Sequence, residues 1–465
     1  MATQIIRGLV VDATPVVITY ALQYSCFTLT TAFVASKLGA EEQAAVSLAL
    51  MTANICGATF YEGLASALDT LCSQAHGAGE STLVGLHLQR MIVLVFLVSF
   101  PLATLLMCSE AILLKIVPPT EADIAELAGR FLRVYLVGLP SYGLFESGKR
   151  FCQAQGNFTA ALQVVLVCAP LNLLLNYLLV FHFHLGLRGA ALASSLSNTL
   201  QPLLLAMVVR YRYKETLFES WPRVSSSDIF SNWSPMVKLA SASVITTVSE
   251  WLAFDILAFA SAHVSRPALA AQSVMITITS VAFHIPNPVA NTASAHFGNL
   301  IGRGDAAALQ IARSTSRVYY LAFLVIGLFN AGILLGFRNQ FTRLFSSDAD
   351  VYEVLLITFP LAALTEFFDS LCCLANGLLR GLGHQRFGAL LNPIVYYGWG
   401  MPVSFYLAFG PAKLGLLGLW TGPCSALGLS FVVTTVYTHY TSWEEAAEEA
   451  RTRNDEAGGR QNIVA

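Results

Sequence analysis

Long apolar blocks alternate with short polar breaks along nearly the whole chain. About twelve blocks meet the requirement of roughly 20 mainly apolar residues for a helix that crosses a bilayer. They fall at 9–37, 43–68, 84–109, 124–152, 158–182, 188–211, 234–262, 268–296, 314–337, 351–380, 386–410 and 414–440. Helix is the expected conformation because a chain in lipid has to satisfy its backbone N–H and C=O groups internally. Several blocks exceed the minimum and leave room for tilt. The first follows Arg7 without the short core and cleavage site of a signal peptide, so it is expected to stay.

Two breaks are longer. One is the polar, basic segment from Tyr211 to Trp233, with Arg212, Lys214 and Arg223. The other is the acidic C-terminal tail "EEAAEEARTRNDEAGGRQ", expected to be disordered beyond a short helix.

Composition agrees with a lipid-embedded chain. Hydrophobic residues make up 55% and charged residues 12% of the 465, against about a quarter charged in ordinary soluble domains. The formal net charge of -2 is scattered and contains no basic run, which removes nucleic acid as a partner. Nine cysteines sit in or beside apolar blocks without paired spacing, the behaviour of small core residues. Adjacent Cys372 and Cys373 point in different directions on a helix, which argues against a redox or metal pair. With both termini placed in the cytoplasm, 17 of the 26 Lys and Arg fall on the cytoplasmic side and 9 on the other. The triplets "NFT" at 157 and "NWS" at 232 are then cytoplasmic and unglycosylated.

The chain repeats itself. "GAGE" at 77–80 recurs as "GRGD" at 302–305, and "LGLRG" at 185–189 recurs as "LGLLG" at 414–418. Each pair occupies the same place in two sets of six blocks. An offset of an even number of spans gives parallel repeats related by an axis along the membrane normal. The fold class expected is therefore all-α polytopic membrane protein, with twelve transmembrane helices in two pseudo-symmetric six-helix bundles around a central cleft. The domain boundaries expected are 1–210 for the N-terminal lobe, 211–233 for a cytoplasmic linker, 234–440 for the C-terminal lobe and 441–465 for the tail. The glycines of GAGE and GRGD suit a tight helix exit, and the acid after them suits the start of the next helix. A phosphate-cradling loop would need more glycines and a Lys.

Carboxylates inside apolar blocks are the chemical anomaly. Each costs about 2.5–3.5 kcal/mol at mid-bilayer on insertion scales, so it faces a bundle interior or water. Low dielectric penalises the charged form, which suits such a group to exchanging protons with a cytosol near neutral pH. Glu366 and Asp369, three residues apart, share a helix face. Glu250 and Asp255, five apart, lie about 140° around the axis and do not share a proton directly. For each acid a structural hydrogen bond is the competing role. Glu146, beside Pro140, and Glu62 are further acids in apolar context, Asp69 suits a cap or a lobe-closing hydrogen bond, and Asp12 suits the cytoplasmic interface. His284, beside Pro286, is either a proton site or structural. Prolines within the blocks, among them Pro286, Pro288 and Pro393, allow bending. Tyr396, Tyr397 and Trp399 suit either a cavity for flat or cationic compounds or a membrane-interface anchor.

Five stretches together resemble the eukaryotic branch of the multidrug and toxic compound extrusion (MATE) family. They are "EGLASALDTLCSQAHGAGE" (62–80), "LQR" (88–90), "SEWLAFD" (249–255), "FGNLIGRGD" (297–305) and "GLLRGLGHQRFGALLNPIVYYGWGMPVS" (377–404). The similarity spans roughly residues 10–440 in family order. It implies two six-helix lobes and export of organic compounds against an inward ion gradient, protons rather than sodium. Glu250 matches the acid of the family's seventh-helix Glu-Trp-Trp motif, Asp255 its second acid, and Asp369 the tenth-helix acid. Gln23 and Asn54 resemble polar positions of the first and second helices. The chain departs from the family at His296, where an arginine is common, and at "IPNPV", which replaces a Pro-x-Gly region and puts the bend there in question.

Together these point to a secondary transporter in the plasma or vacuolar membrane, exporting small organic compounds by proton antiport with alternating access. A monomer embedded in the lipid bilayer is expected, with no cofactor, no metal and no enzymatic activity. The coupling or substrate-binding set is Glu250, Asp369, Asp255, Glu366, Gln23, Asn54, Glu146, Tyr396 and Tyr397. A lipid flippase of related architecture is the nearer alternative and a membrane-embedded transferase the more distant one. The first requires a broad basic groove and the second a convergent His/Asp or metal cluster.

Overall fold

The computed structural model describes residues 2–116, 122–221, 226–345 and 348–459. Arg223 of the basic segment and the side chain of Cys26 lie outside that set. Every regular element among the described residues is helical. Ten helices are long and apolar enough to cross a membrane. The other two expected spans are helical as well. One runs Ala122–Tyr135 and Leu139–Ala154 through a tight turn at Leu136–Gly138, and carries too many charges to read as plain apolar sequence. The other runs Gln385–Pro393 and Met401–Phe409 through the wide π-turn Ile394–Gly400.

The chain forms two compact units, each with its own hydrophobic core. One comprises Thr14–Val244 with Thr452–Ala465, the other Met1–Ala13 with Ile245–Arg451. They are called here the N-terminal and C-terminal units. The core of the first includes Leu68, Leu71, Phe131 and Phe145, and that of the second Phe359, Leu419 and Trp420. Large apolar side chains such as Phe100 (79% exposed) and Val137 (72%) face outward, as lipid-facing positions do.

The repeat is visible in the backbone. Gly79 and Gly304, in GAGE and GRGD, have φ of 78° and 63°, the left-handed exit expected of them. Asp305 then caps Ala306–Gly336 by accepting from the Ala308 N–H at 2.6 Å. Glu80 begins Ser81–Met107 without a side-chain cap bond. In the second motif His184 and Gly186 have φ of 54° and 55°, and Lys413 and Gly415 have 47° and 57°. Two short helices that the apolar pattern did not announce, Ser109–Ile116 and Arg338–Phe345, follow the third and ninth spans.

Within the C-terminal unit, the helix Pro286–Arg303 packs closely on Ala349–Leu382. A Cβ on Gly377 would lie 2.8 Å from the Ala290 carbonyl oxygen, and one on Gly381 would lie 2.6 Å from the Phe297 Cβ. This is the Gly-x-x-x-Gly device for close approach in lipid. The eighth span does bend at "IPNPV": Arg266–Phe283 stops and Pro286–Arg303 starts afresh. Pro286 has no N–H for the Ala282 carbonyl four residues back. Asn330, buried, donates Nδ2 to that carbonyl at 3.3 Å, and Ile285 N–H adds a tighter turn bond at 3.2 Å.

The C-terminal tail differs from expectation. Residues Trp443–Gly458 form a helix of 16 residues, with Trp443, Ala446, Ala450 and Ala457 all buried. The period of three to four puts those side chains on one apolar stripe despite the acidic composition. Trp443 meets Phe297 edge to face, Arg313 pairs with Glu444 at 2.7 Å, and Arg90 donates Nη1 to the Ala457 carbonyl at 3.0 Å.

Candidate functional site

The C-terminal unit brings four of the sequence-predicted acids onto two helices. Glu366 and Asp369 are buried on Ala349–Leu382, one turn apart on one face. Glu250 and Asp255 are half-buried on Ser234–Ala262. None of the four takes part in an ion pair among the described residues, and one Glu366 carboxyl oxygen, Oε2, is buried without a hydrogen-bond partner. Glu250 is the charged group that bears most strongly on Asp369, and Asp369 on Glu366, so three carboxyls form one electrostatic group. Asp255 stands apart from it, with Tyr397 as its neighbour. Arg380 lies eleven residues beyond Asp369, three turns on and on nearly the same face. It is the cation that acts on Glu250, and its Nη2 donates to Asn291 Oδ1 at 2.9 Å.

Two aromatics were expected near these acids. Tyr396 is buried in the π-turn Ile394–Gly400 beside Glu250, whereas the Tyr397 hydroxyl donates to the Ser249 carbonyl at 2.9 Å. Trp399 is 51% exposed. His284 holds the Ser280 carbonyl through Nδ1, a bond within its own helix. Asp12 receives His296 Nε2 at 3.1 Å, while His296 Nδ1 meets the Tyr319 hydroxyl at 2.7 Å. His296 therefore has an acidic partner.

The N-terminal unit holds a different arrangement. Gln23, just before the π-turn Tyr24–Leu29, accepts from Lys149 Nζ at 3.3 Å. Lys149 is fully buried, 2.6 Å from Glu146 Oε1 and 3.7 Å from the centre of the Tyr20 ring. Arg150 pairs with buried Asp69. Glu62 accepts from the Tyr142 hydroxyl at 2.6 Å. Asn54 begins another π-turn, Asn54–Ala58, and is exposed. Of the predicted set, Gln23 and Glu146 thus converge on Lys149, and Asn54 does not. Lys149 and Arg150 were not anticipated. The signal was present as "ESGKR", two cations inside an apolar block three and four residues after an acid.

Comparison with known proteins agrees with this architecture. The MatE family profile matches twice, over residues 15–178 and 242–406, once in each repeat. An uncharacterized transporter of Schizosaccharomyces pombe is 36% identical over 96% of this chain and 81% of its own. Multidrug and toxin extrusion protein 2 of Mus musculus is 32% identical over 90% of this chain and 71% of its own. The crystal structure of the eukaryotic MATE transporter AtDTX14 superposes with a TM-score of 0.91 at 28% identity, covering 97% of this chain and 99% of that one. With two profile matches covering most of the chain, and relatives aligned along nearly its whole length, this protein belongs to the MatE family of multi-pass membrane transporters.

Proposed function

We propose that this transporter exports small organic compounds in exchange for protons, and that Glu250, Asp369 and Glu366 carry the exchanged proton. The observation that supports it most is the contrast in pairing. The buried acids Asp69 and Glu146 of the N-terminal unit each hold a cation, whereas Glu366 and Asp369, also buried, form no ion pair among the described residues. An unpaired buried carboxylate is costly as an anion and cheap as a neutral acid. Binding a proton and binding an organic cation are two ways of neutralising the same group, and their competition is the basis of antiport. A ligand shifts the protein between conformations only by its different affinity for each. Neutral and charged carboxyls provide that difference.

Asp255, apart from the group, takes a supporting role. Buried Tyr396 offers a ring beside the acids, suited to flat or cationic substrates. The separate hydrophobic cores support alternating access by bodies that move as wholes. The distribution of Lys and Arg supports a cytoplasmic location for both termini. The plasma or vacuolar membrane fits the function.

Purified protein in proteoliposomes, loaded with the fluorescent cation ethidium, tests the proposal. Imposed pH and sodium gradients are applied separately. Accumulation driven by the pH gradient and lost in Glu250→Gln is expected. Accumulation that follows sodium alone overturns proton coupling.

A further inference from the structure

The buried ionisable cluster of the N-terminal unit does not balance. Three carboxylates, Glu62, Asp69 and Glu146, stand against two cations, Lys149 and Arg150. Lys149 belongs to Glu146 and Arg150 to Asp69, through contacts with side chains almost wholly buried. Glu62 is left over. Its bond partner, Tyr142, is neutral.

Geometry concentrates the excess. Tyr142, Glu146 and Lys149 lie at positions i, i+4 and i+7 of Leu139–Ala154, one stripe of one helix. Glu62, on Thr59–Gly77, faces that stripe through Tyr142. Among charged groups Glu146 bears most strongly on Glu62. Glu146 is 1% exposed, and while its Oε1 meets Lys149, its Oε2 is buried with no hydrogen-bond partner. A bare carboxylate oxygen in such a place lacks a donor.

Among the described residues, no cation of the neighbouring elements forms an ion pair with Glu62. The first helix contributes Tyr20 and Gln23, both already against Lys149. Gly186–Tyr211 contributes Gln201, which accepts from Gln23. Ser81–Met107 contributes Ser99, bonded to Tyr61, and its Arg90 is taken by the Asp228 and Ala457 carbonyls, with His87 one turn before it. Val244 packs at Gly63, and Lys238 of the same helix is exposed. Unlike Glu146, which is 1% exposed, Glu62 is half-buried as a residue.

We infer that the N-terminal unit holds a second exchangeable proton, taken up from water by Glu62 and shared with Glu146, so that two protons move in each transport cycle. The proton adds to a Glu62 carboxylate oxygen, leaving the cluster with two anions and two cations. On release it returns to water from the same carboxyl, and the Tyr142 hydroxyl keeps its donor bond to Glu62 in both states. The two-proton count rests on proton coupling through Glu250 and Asp369, whereas the occupancy of Glu62 stands independently of it.

The test uses full-length protein in two assays. In infrared difference spectra across neutral pH, wild type is expected to show a carboxyl C=O band from Glu62 that shifts in heavy water and is missing in Glu62→Gln. Glu146→Gln is expected to move this band. Glu62→Gln leaves balanced charges and is expected to fold at least as well as wild type. In ethidium-loaded proteoliposomes clamped at zero membrane potential, each coupled proton multiplies the limiting gradient by about tenfold per pH unit. Under one pH unit the limit is expected to fall from about 100-fold in wild type to about tenfold in Glu62→Gln. An unchanged band or an unchanged limit in Glu62→Gln overturns the second proton. Full coupling retained in Glu250→Gln, with the Glu62 band still present, overturns the proposed coupling group and leaves the Glu62 site standing.

Discussion

Replacing Asp69 by Asn tests how the N-terminal unit tolerates its buried charge. Arg150 and Asp69 are 6% and 3% exposed at the side chain, so neither ion is hydrated to any extent. Asn keeps the volume of Asp and removes its charge. Arg150 then loses the carboxylate it is paired with, and removing one partner of a buried pair costs about 3–5 kcal/mol. For a folding unit of this size, about 1 kcal/mol corresponds to a shift of roughly 2–4 °C in the thermal midpoint. Asp69→Asn is therefore expected to lower the midpoint by about 10 °C, read from tryptophan fluorescence or from loss of the monodisperse peak in detergent. The double variant Asp69→Asn with Arg150→Met removes both charges and is expected to recover most of the loss, because apolar replacement of a whole pair is often nearly neutral. A single variant as stable as wild type, or a double variant no better than the single, refutes the assignment of this pair as the anchor of the Arg150 charge.

Three other perturbations have definite expectations. Glu250→Gln and Asp369→Asn are each expected to reach the membrane and to lose most of the uphill accumulation that a pH gradient drives, while Asp255→Asn keeps most activity; vesicle uptake at several external pH values checks this. Gly381→Leu forces a side chain into the 2.6 Å approach to Phe297 and is expected to destabilise by about 1–3 kcal/mol, with Gly381→Ala milder, measured as thermal midpoints. Trp443→Ala removes the anchor of the tail helix and is expected to make residues 443–458 accessible to limited proteolysis, which wild type resists; equal cleavage of the two proteins would show that the stripe does not hold the helix.

What the sequence revealed and what it concealed divide along physical lines. Twelve helical runs were legible because the bilayer requires about 20 apolar residues in each, a signal too long to miss. The left-handed exits at Gly79 and Gly304 were legible because only glycine takes that backbone readily and both stood in matched motifs. The docked tail was obscured by its acidity, since one tryptophan, Trp443, and the alanines Ala446 and Ala450 make a thin stripe between glutamates. The π-turns were invisible, because an extra residue in a helical turn leaves no compositional mark. Three of the residues predicted to be functional nonetheless fall in or begin such turns, Asn54, Tyr396 and Tyr397, and Gln23 directly precedes another. Backbone irregularity therefore collects where the polar residues were suspected. Lys149 escaped attention because charge in an apolar block is weighed most readily for acids, although its partner Glu146 had been singled out.

The repeat gives the two sets of charges a common frame. The two profile matches start 227 residues apart, at 15 and 242, and the same interval separates Gly156 from Gly383, each left-handed just after a span (φ 77° and 83°). In that register Gln23 stands where Glu250 stands, Tyr142 where Asp369 stands, Glu146 where Cys373 stands and Lys149 where Asn376 stands. Two of the coupling acids proposed for the C-terminal unit, Glu250 and Asp369, thus match a neutral hydrogen-bonding group in the N-terminal unit, and the third, Glu366, matches the apolar Leu139. The internal cation Lys149 has only an amide as its counterpart. The same helices therefore present two electrostatic solutions. Where a lysine is built in, an acid such as Glu146 is neutralised through one oxygen by a 2.6 Å contact, and only its second oxygen is open to a proton shared with Glu62. Where the lysine is missing, Glu366 and Asp369 have to obtain their neutralising charge from outside the chain, and a carboxyl that must borrow a proton or a cation is one that can also give it up. Glu62 is the one acid of the N-terminal cluster in that second condition, since among the described residues Lys149 is paired with Glu146 and Arg150 with Asp69.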